Sequence, residues 1–450
     1  MNQNRVIEGN IFSAIVALSV PIMATSMLQT LYNLMDMFWV GKLGSKAVAA
    51  VGTGGFFLWF SFAFITLCSI GAQVGVAQAV GRKDDESMTE YAKTALQLAV
   101  AIGVLYSLVL VVFSNPLIAL FNLRDVALIE LSYQYLNTYG YGAAFLFIIS
   151  VYTAIWNGYG NSKLPFLALG IAILINLVLD PILIFYFNMG VQGAALATVI
   201  SHAVAVIVFI VTMPLGGKLF WGLNFFKGFN KVVAKDIIKV GFPAGLQSFM
   251  FTSIAVVIVR IIALWGAVAI AVQRLGAQIE SITWKSADGI GLATNTFVAQ
   301  NYGAQRENRI KTGYFTALGF SASIGLFAGV MLIFFGREIF ALFIEEKAAI
   351  EIGANYAQII GISQVFMSIE AISGGAFNGL KLTKYPSTVS IVFNALRIPA
   401  ALLLSSIAAL GLNGVWWSIS LSSVFKGVVL TVMFLYHLKK MHIAGLVTQE

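Results

Sequence analysis

Twelve long apolar runs, separated by short polar stretches, set the pattern of this chain. A helix needs roughly 20 apolar residues to cross the hydrocarbon of a bilayer. The runs lie at about 12–39, 47–79, 92–113, 133–156, 164–187, 191–213, 238–262, 267–299, 313–335, 355–379, 386–408 and 412–436. Backbone groups in lipid must find hydrogen bonds within the protein, and the pattern does not indicate barrel strands. The sequence therefore predicts an all-α membrane protein with twelve transmembrane helices.

The composition indicates the same class of protein. The chain has 450 residues, of which 59% are hydrophobic and only 10% are charged, and this excludes an ordinary soluble domain. Residues 1–10 are polar and the first apolar run is too long for a signal sequence, so we expect no cleavable signal peptide. The single cysteine, Cys68, excludes an intramolecular disulfide and a metal site made of several cysteines.

The positive charge of the chain follows the predicted membrane topology. The formal net charge is +8. With a cytoplasmic N-terminus, 17 Lys and Arg residues fall in inside segments and 5 in outside segments. An excess of Lys and Arg on cytoplasmic loops sets the orientation of a membrane protein. We therefore predict a multi-pass protein of the cell (cytoplasmic or inner) membrane with both termini cytoplasmic, and we expect no nucleic-acid partner.

The second half of the chain repeats the pattern of the first. At an offset of 222, Pro21 matches Pro243, Gly44 matches Gly266, Gln78 matches Gln300, and Gly81 matches Gly303. At an offset of 221, Asn157 matches Asn378, Lys163 matches Lys384, Pro165 matches Pro386, and Gly190 matches Gly411. Because each half holds six predicted helices, both halves enter the membrane in the same orientation. We expect a pseudo-two-fold axis along the membrane normal and a site between the halves, an architecture typical of transporters.

The repeat predicts three parts of the chain. Residues 1–213 are predicted to form an N-terminal six-helix lobe, and residues 240–450 a C-terminal six-helix lobe. Residues 214–239 are predicted to form a basic cytoplasmic linker between the lobes. Within the linker, the stretch 220–236 is amphipathic with regularly spaced lysines, which predicts a helix lying on the membrane surface.

Two aspartates lie inside apolar runs of the first half. Asp36 is in the first run, and Asp180 lies one helical turn after Asn176 in the fifth. An ionised side chain at bilayer depth costs about 2.5 kcal/mol or more, so such residues usually mark an ion or proton path. The alternative is a structural acid that is hydrogen-bonded by a neighbouring Asn or Tyr. The repeat favours a functional role, because the second half has isoleucines at the equivalent positions. The offset of 222 places Asp36 on Ile258, and a local offset of 218, which matches Asn176 to Asn394, places Asp180 on Ile398.

Several motifs resemble those of the multidrug and toxic compound extrusion (MATE) family. They are PIM…D…VGKLG in the first helix, the VGRKD and NYGA turns, NGYGNSK in the fourth helix and NLVLDPILIF in the fifth. The resemblance covers the whole chain and implies two pseudo-symmetric six-helix bundles in a V-shaped, alternating-access fold. The spacing resembles the DinF-like prokaryotic branch. The NorM-like branch has an acid in the seventh helix and another in the tenth. Here Phe251 stands at the first position and Met367 near the second, with Glu370 one turn from Met367. The absence of acids at these positions argues against NorM-type coupling in the second half.

The resemblance to the DinF-like branch implies a cation-coupling site in this chain at Asp36, Asn176, Asp180 and Thr198. The match lies in the spacing from Pro21 to Asp36, from Asn176 to Asp180, and from Asp180 to Thr198. The carboxylates can load and release a proton, whereas carboxylate, amide and hydroxyl oxygens together suit Na⁺; both alternatives stay open. Pro21 removes a backbone hydrogen bond from the first helix, so we expect a hinge there.

The second half carries a different set of charges. Its apolar runs contain Arg260, Arg274, Lys285, Arg397, Lys426, Glu280, Asp288 and Glu370. One interpretation is pairing within the lobe, which we expect of Lys285 and Asp288 because residues three apart share a helix face. The other is a positive wall that faces a cavity, which we expect of Arg397 because no acid lies near it in the sequence. The candidate cavity residues are Asn33, Asn157, Glu280, Glu370 and Arg397.

These features predict a secondary active antiporter that exports organic solutes or drugs from the cytoplasm in exchange for inward H⁺ or Na⁺. The family implies cationic substrates, whereas the basic residues of the second half would suit anionic or zwitterionic ones. The alternative function is a flippase for lipid-linked precursors or polysaccharide intermediates of the same superfamily. The apolar runs contain no His-Glu-x-x-His or Gly-x-Ser-x-Gly motif, so we expect no enzyme activity. We expect a monomer in the lipid bilayer with no cofactor beyond the coupling ion.

Overall fold

The computed structural model describes residues 4–220, 224–226 and 228–447, and most of this part of the chain is α-helical. In the first half the helices are α1 (Asn4–Glu8), α2 (Ile11–Gly41), α3 (Ser45–Arg82), α4 (Asp85–Val112), α5 (Ser114–Ala119), α6 (Val126–Gly140), α7 (Ala143–Tyr159), α8 (Lys163–Pro181) and α9 (Gly190–Thr212). In the second half they are α10 (Lys231–Ile262), α11 (Ala267–Gly303), α12 (Glu307–Ala341), α13 (Lys347–Gly379), α14 (Lys384–Ser405) and α15 (Leu412–Val447). A π-helical turn, Ile182–Tyr186, follows α8, and 3₁₀ turns follow α9 and α10 at Met213–Leu219 and Ala263–Trp265.

The helices match the twelve predicted spans. Within the described residues, 10 helices are long and apolar enough to cross a membrane, and the bent pair α6 and α7 makes up to 11. The remaining span is α11, which has 37 residues and includes Arg274, Glu280, Lys285 and Asp288. These charges lower its hydropathy without shortening it. The prediction of an all-α, twelve-helix membrane protein is confirmed.

The fourth span differs from the single helix predicted over about 133–156. It consists of α6 and α7, which meet at a bend of 50°. Gly142 lies at this bend, and a Cβ atom there would come within 2.4 Å of Cγ1 of Val199 on α9. The glycine therefore allows α9 to pack directly against the bend. The apolar pattern did not reveal this bend, because it depends on contact with a distant helix.

The duplication is visible in the backbone as pairs of left-handed turn residues. The pairs are Gly44 and Gly266 (φ 102° and 90°), Lys83 and Gln305 (both 57°), Gly160 and Lys381 (97° and 61°), and Gly190 and Gly411 (54° and 48°). The members of each pair are separated by one of the two offsets of the sequence repeat. Because positive φ is uncommon for residues other than glycine, this recurrence indicates that the two halves turn at equivalent places.

The described helices form two compact units. The first unit contains residues 24–245, and the second contains residues 4–23 and 246–447. Large buried aromatic residues fill the core of each unit. In the first they include Tyr152, Trp156 and Phe209. In the second they include Phe297, Tyr314, Phe377 and Phe434.

The two units differ from the predicted lobes in one segment each. In α2, buried Ile15, Leu18 and Ile22 recur every three or four residues, so they share one helix face, and that face packs in the core of the second unit. In α10, Ala234 and Ile237 pack in the core of the first unit. The second unit therefore includes the first part of α2, and the first unit includes the first part of α10. The lobe boundaries 1–213 and 240–450 stay a prediction.

The changes of unit fall at equivalent places in the two repeats. They come after Met23 in α2 and after Gly245 in α10, and these two positions are related by the same repeat offset that relates Pro21 to Pro243. Each change of unit thus follows a proline by the same short distance. Both helices nevertheless continue through the proline without a break.

The predicted linker 214–239 is partly helical, but not where the sequence indicated a surface helix. The described residues 224–226 and 228–230 are not helical, and Gly228 has a φ of 39°. Asn230 then caps α10, because its Oδ1 accepts hydrogen bonds from the backbone N–H groups of Val232 and Val233 at 3.1 and 3.2 Å. The expected surface helix over 220–236 is therefore wrong for residues 224–226 and 228–230.

Candidate cation-coupling site

The four predicted coupling residues all lie in the first unit. Asn176 and Asp180 are one turn apart on α8 and are only 1% and 0% exposed. Nδ2 of Asn176 donates a hydrogen bond to Oδ1 of Asp180 at 3.2 Å. The amide therefore orients the carboxylate and satisfies one of its two oxygens.

Thr198 connects α9 to α2. Its hydroxyl donates to the backbone oxygen of Ala194 at 3.1 Å, one turn earlier on α9. The hydroxyl of Tyr32 on α2 lies 2.9 Å from Oγ1 of Thr198. Since a threonine hydroxyl has one hydrogen to give, Tyr32 is the donor in this contact. This bond ties the helix that carries Asp36 to the helix beside Asp180.

One oxygen of each aspartate has no hydrogen-bond partner among the described residues. These atoms are Oδ1 of Asp36 and Oδ2 of Asp180, and both are buried. The two carboxylates lie within electrostatic range of each other. Tyr32 and Tyr135 lie within range of both. A buried anionic oxygen without a donor is costly.

The chain around Asp180 is shaped by the end of α8. Pro181 has no backbone N–H to donate, and a π-helical turn follows it at Ile182–Tyr186. Such turns are rare and often occur at functional sites. A Cβ atom at Gly193 of α9 would lie 2.7 Å from the backbone carbon of Leu183, so the glycine lets α9 approach this turn closely. The helix that carries Thr198 therefore packs against the turn that follows Asp180.

In the second unit, charged residues from different helices come together. Nζ of Lys426 on α15 forms an ion pair with Oε2 of Glu370 on α13 at 3.0 Å, and the two side chains are 7% and 15% exposed. Ser390 on α14 donates a hydrogen bond to the other oxygen of Glu370 at 3.1 Å. Asp288 on α11 lies within electrostatic range of Glu370, Lys285 and Lys426.

Arg397 also belongs to this network, although no acid lies within four residues of it in the sequence. Its guanidinium donates to Ser422 at 2.5 Å and to Ser423 at 3.2 Å. It lies within electrostatic range of Glu370 and Glu280. These acids belong to α13 and α11, so a search along the neighbouring residues of α14 could not find them.

The candidate cavity residues fall into separate groups. Glu280, Glu370 and Arg397 are neighbours in the second unit. Asn33 and Asn157 belong to the first unit, where Asn33 is exposed on α2 and Asn157 is buried on α7. That all five line one substrate cavity stays a prediction.

Two tyrosines near the aspartates were missed by the sequence analysis. Tyr32 lies one helical turn before Asp36, so helical spacing in the first apolar run could have indicated it. Tyr135 lies on α6, and nothing in its local sequence connects it to Asp36 or Asp180.

Comparison with known proteins identifies the family. The MatE family model matches residues 21–182 and matches a second time over residues 243–403. The chain belongs to the MatE family. The starts of the two matches differ by 222 (243 − 21) and their ends by 221 (403 − 182), as the internal repeat requires. This MatE transporter is therefore a duplicated, multi-pass membrane protein.

Similar proteins cover nearly the full length of the MatE transporter. The probable multidrug resistance protein NorM of Thermotoga maritima is 27% identical over 94% of this chain and 91% of its own length. The probable multidrug resistance protein YoeA of Bacillus subtilis is 26% identical over 88% of each chain.

Solved structures have the same fold. An outward-facing multidrug resistance MATE family transporter of the MOP superfamily aligns with a TM-score of 0.90 at 22% identity, covering 98% of this chain and 99% of its own. A MOP superfamily transporter from Pyrococcus furiosus aligns with a TM-score of 0.88 at 22% identity, covering 98% of each chain.

Proposed function

We propose that this MatE transporter is a secondary active antiporter that exports small organic solutes from the cytoplasm while H⁺ or Na⁺ flows inward. One observation supports the coupling most strongly. Asp36 and Asp180 come within electrostatic range, and each has a buried oxygen with no hydrogen-bond donor in the described parts of the chain. A proton or a cation would lower the cost of that arrangement, and binding of either would make the site respond to an ion gradient.

The side chains around the aspartates have distinct roles in this proposal. Asn176 holds Oδ1 of Asp180 and leaves Oδ2 to bind the ion. The bond from Tyr32 to Thr198 holds α2 beside α9. Loading of the ion removes the repulsion between the two carboxylates, which favours a different position of α2. A ligand shifts a conformational equilibrium only through such a difference in affinity between states.

Both ions fit the chemistry of these groups. A proton would bind one of the two free carboxylate oxygens. For Na⁺, the carboxylates of Asp36 and Asp180 would supply charge, and the oxygens of Thr198, Asn176 and Tyr32 are hard, neutral donors. The four residues Asp36, Asn176, Asp180 and Thr198 would thus hold the coupling ion in either case.

For the substrate we propose an organic cation. Lys426 in the second unit is bound to Glu370, and Arg397 lies in range of two glutamates. This pairing argues against a positive wall that would select anions. The names of the relatives as multidrug resistance proteins also support export of organic compounds. We further propose a monomer with both termini in the cytoplasm, as the distribution of Lys and Arg indicates.

Transport into proteoliposomes tests this function. The purified protein is reconstituted, and movement of a fluorescent organic cation is followed with a pH gradient or a Na⁺ gradient imposed separately. We expect accumulation to follow one of the two gradients and to disappear when that gradient is collapsed. Transport that depends on neither gradient would refute ion-coupled antiport.

A further inference from the structure

The beginning of the chain is held by arginines of the second unit. Nη1 of Arg306 donates a hydrogen bond to the backbone oxygen of Ile7 at 2.9 Å. Nη2 of Arg309 donates to the backbone oxygens of Val6 at 3.1 Å and Gly9 at 2.9 Å. The last carbonyls of a helix have no partner within it, and cationic side chains often satisfy them. The two arginines therefore cap the end of α1.

Other contacts surround these bonds. Nδ2 of Asn301 donates to the backbone oxygen of Val6 at 3.4 Å, and its Oδ1 accepts from Nε of Arg309 at 3.2 Å. The guanidinium of Arg309 lies 5.9 Å from the centre of the Phe297 ring. We refer to Asn301, Arg306 and Arg309 as the N-terminal clamp. They bind backbone oxygens of the segment, and Arg306 also forms an exposed ion pair with the Glu8 side chain at 3.6 Å.

The two parts of α2 are packed very differently. Its first part, residues 11–23, has a buried face in the core of the second unit. A Cβ atom at Gly289 of α11 would lie 3.1 Å from the backbone nitrogen of Met23, so this contact extends to the end of that part. The first part has five buried residues, whereas the second part, residues 24–41, has one, Val40. The part that carries Asp36 is thus the loosely packed part.

The clamp residues are not repeated at the equivalent positions of the first half. An offset of 222 places its residues on Ala79, Asp84 and Ser87, which lack a guanidinium group. The corresponding segment of α10 is held in the first unit by different chemistry, a hydrogen bond of 2.6 Å from the hydroxyl of Tyr91 to Oδ2 of Asp236. The repeated fold therefore does not itself require the arginines.

We infer that the N-terminal clamp fixes the first part of α2 so that ion binding at Asp36 moves the second part. This inference rests on the proposed antiport. A helix that responds to an ion transmits the response only when one of its ends is held in place. The clamp residues are then positioning residues, which act on transport without touching the ion.

The test combines hydrogen exchange with transport by the full-length protein. In Arg306→Gln/Arg309→Gln protein, we expect faster amide exchange over residues 6–18 and a turnover roughly tenfold lower. We expect the KM for the fluorescent cation and the ion-dependent shift in melting temperature to stay unchanged. Arg309→Lys retains the charge but presents one donor nitrogen, so its turnover should lie between those of the wild type and the double variant.

Two control variants separate the clamp from a general loss of ion pairs. Arg337→Gln breaks an exposed ion pair with Glu351 in the same unit, where the side chains are 66% and 59% exposed. Glu8→Gln breaks the exposed pair with Arg306 but leaves the bonds to the backbone carbonyls. Both controls should transport like the wild type.

Several results would overturn the inference. Faster exchange with wild-type turnover would show that transport does not need the fixed segment. A lost ion-dependent shift would show that the arginines maintain the coupling site itself. If the double variant does not fold, the same comparison is made with Arg309→Lys, and wild-type turnover with faster exchange again contradicts the inference. Failure of the proposed antiport is recognised separately, because the wild-type protein would then transport the cation independently of both the pH gradient and the Na⁺ gradient.

Discussion

The two halves of this MatE transporter share turns at equivalent positions but differ in how their buried acids are hydrogen-bonded and paired. In the first unit, Asp36 and Asp180 each keep one buried oxygen that no described residue hydrogen-bonds. In the second unit, Glu370 is bound by both Lys426 and Ser390. Duplication provided two similar frameworks, and different side chains were then placed within them.

This difference separates two uses of charge in a membrane. A paired buried charge has its partner within the protein, so removal of either member leaves the other unsatisfied. In the proposed antiport, an unpaired buried acid gains its partner when the coupling ion binds. We therefore expect substitutions in the first unit to affect coupling and those in the second to affect stability first.

The largest effect is expected at Asp36. Asp36→Asn keeps the side-chain volume but removes the group that binds the proton or cation, so gradient-driven transport should fall to the level of empty liposomes. Expression and melting temperature should stay close to wild type. Glu130→Gln is the matched control, because Glu130 is an exposed acid of the same unit that accepts a hydrogen bond from Gln134. Gradient-driven transport by Asp36→Asn protein would contradict the proposed coupling.

In the second unit, the largest loss of stability is expected from Lys426→Ala. This change leaves Glu370 buried without its ion pair, and the free energy of unfolding should fall by about 3–5 kcal/mol. Thermal melting in detergent measures the change. The double variant Lys426→Met/Glu370→Gln removes both charges and should recover most of the loss. If Lys426→Ala protein melts at the wild-type temperature, the ion pair between Lys426 and Glu370 does not contribute to stability.

A smaller effect distinguishes Na⁺ from H⁺ as the coupling ion. If Na⁺ binds at Asp36 and Asp180, saturating Na⁺ should stabilise the protein by about 2.7 kcal/mol at 100 times its dissociation constant. K⁺ at the same ionic strength is the control. Asp180→Asn should abolish the increase in melting temperature. An equal response to Na⁺ and K⁺ would favour coupling by protons alone.

The smallest effect compares the starts of equivalent helices. Asp84 caps α4 by accepting a hydrogen bond from the backbone N–H of Ser87 at 2.9 Å, whereas Arg306, at the equivalent position before α12, makes no such bond through its side chain. Asp84→Ala should therefore cost about 1 kcal/mol of stability. Glu86→Ala, in the first turn of α4, is the control. Equal melting temperatures for both variants would show that the cap contributes nothing.

The cap also gives a pH dependence with a definite sign. The hydrogen bonds from Ser87 lower the pKa of the Asp84 carboxyl from its ordinary value. The ionised Asp84 cap therefore contributes fully to the free energy of unfolding above the unfolded pKa of about 3.9. This contribution is lost as the pH falls through the lower pKa of the folded state. The difference in melting temperature between wild type and Asp84→Ala should shrink on acidification below that range.

Features set by spacing within one helix could be predicted from the sequence. Asn176 and Asp180 are one helical turn apart in one apolar run, and the structure shows them hydrogen-bonded. The neighbours of Arg397 could not be predicted, because Glu280 and Glu370 lie on other helices. The sequence also did not indicate that α2 passes from the second unit to the first after Met23. An apolar helix face has the same sequence pattern whichever core it packs in.

The exchange of helix segments has a consequence for biosynthesis. The backbone oxygen of Val6 is bound by Asn301, which lies far along the chain in the second half. The first unit likewise needs Ala234 and Ile237, which the ribosome makes after the helices they pack against. Neither half of the nascent chain can therefore complete its native core alone, and Val6 reaches its final contact only after Asn301 has been synthesised.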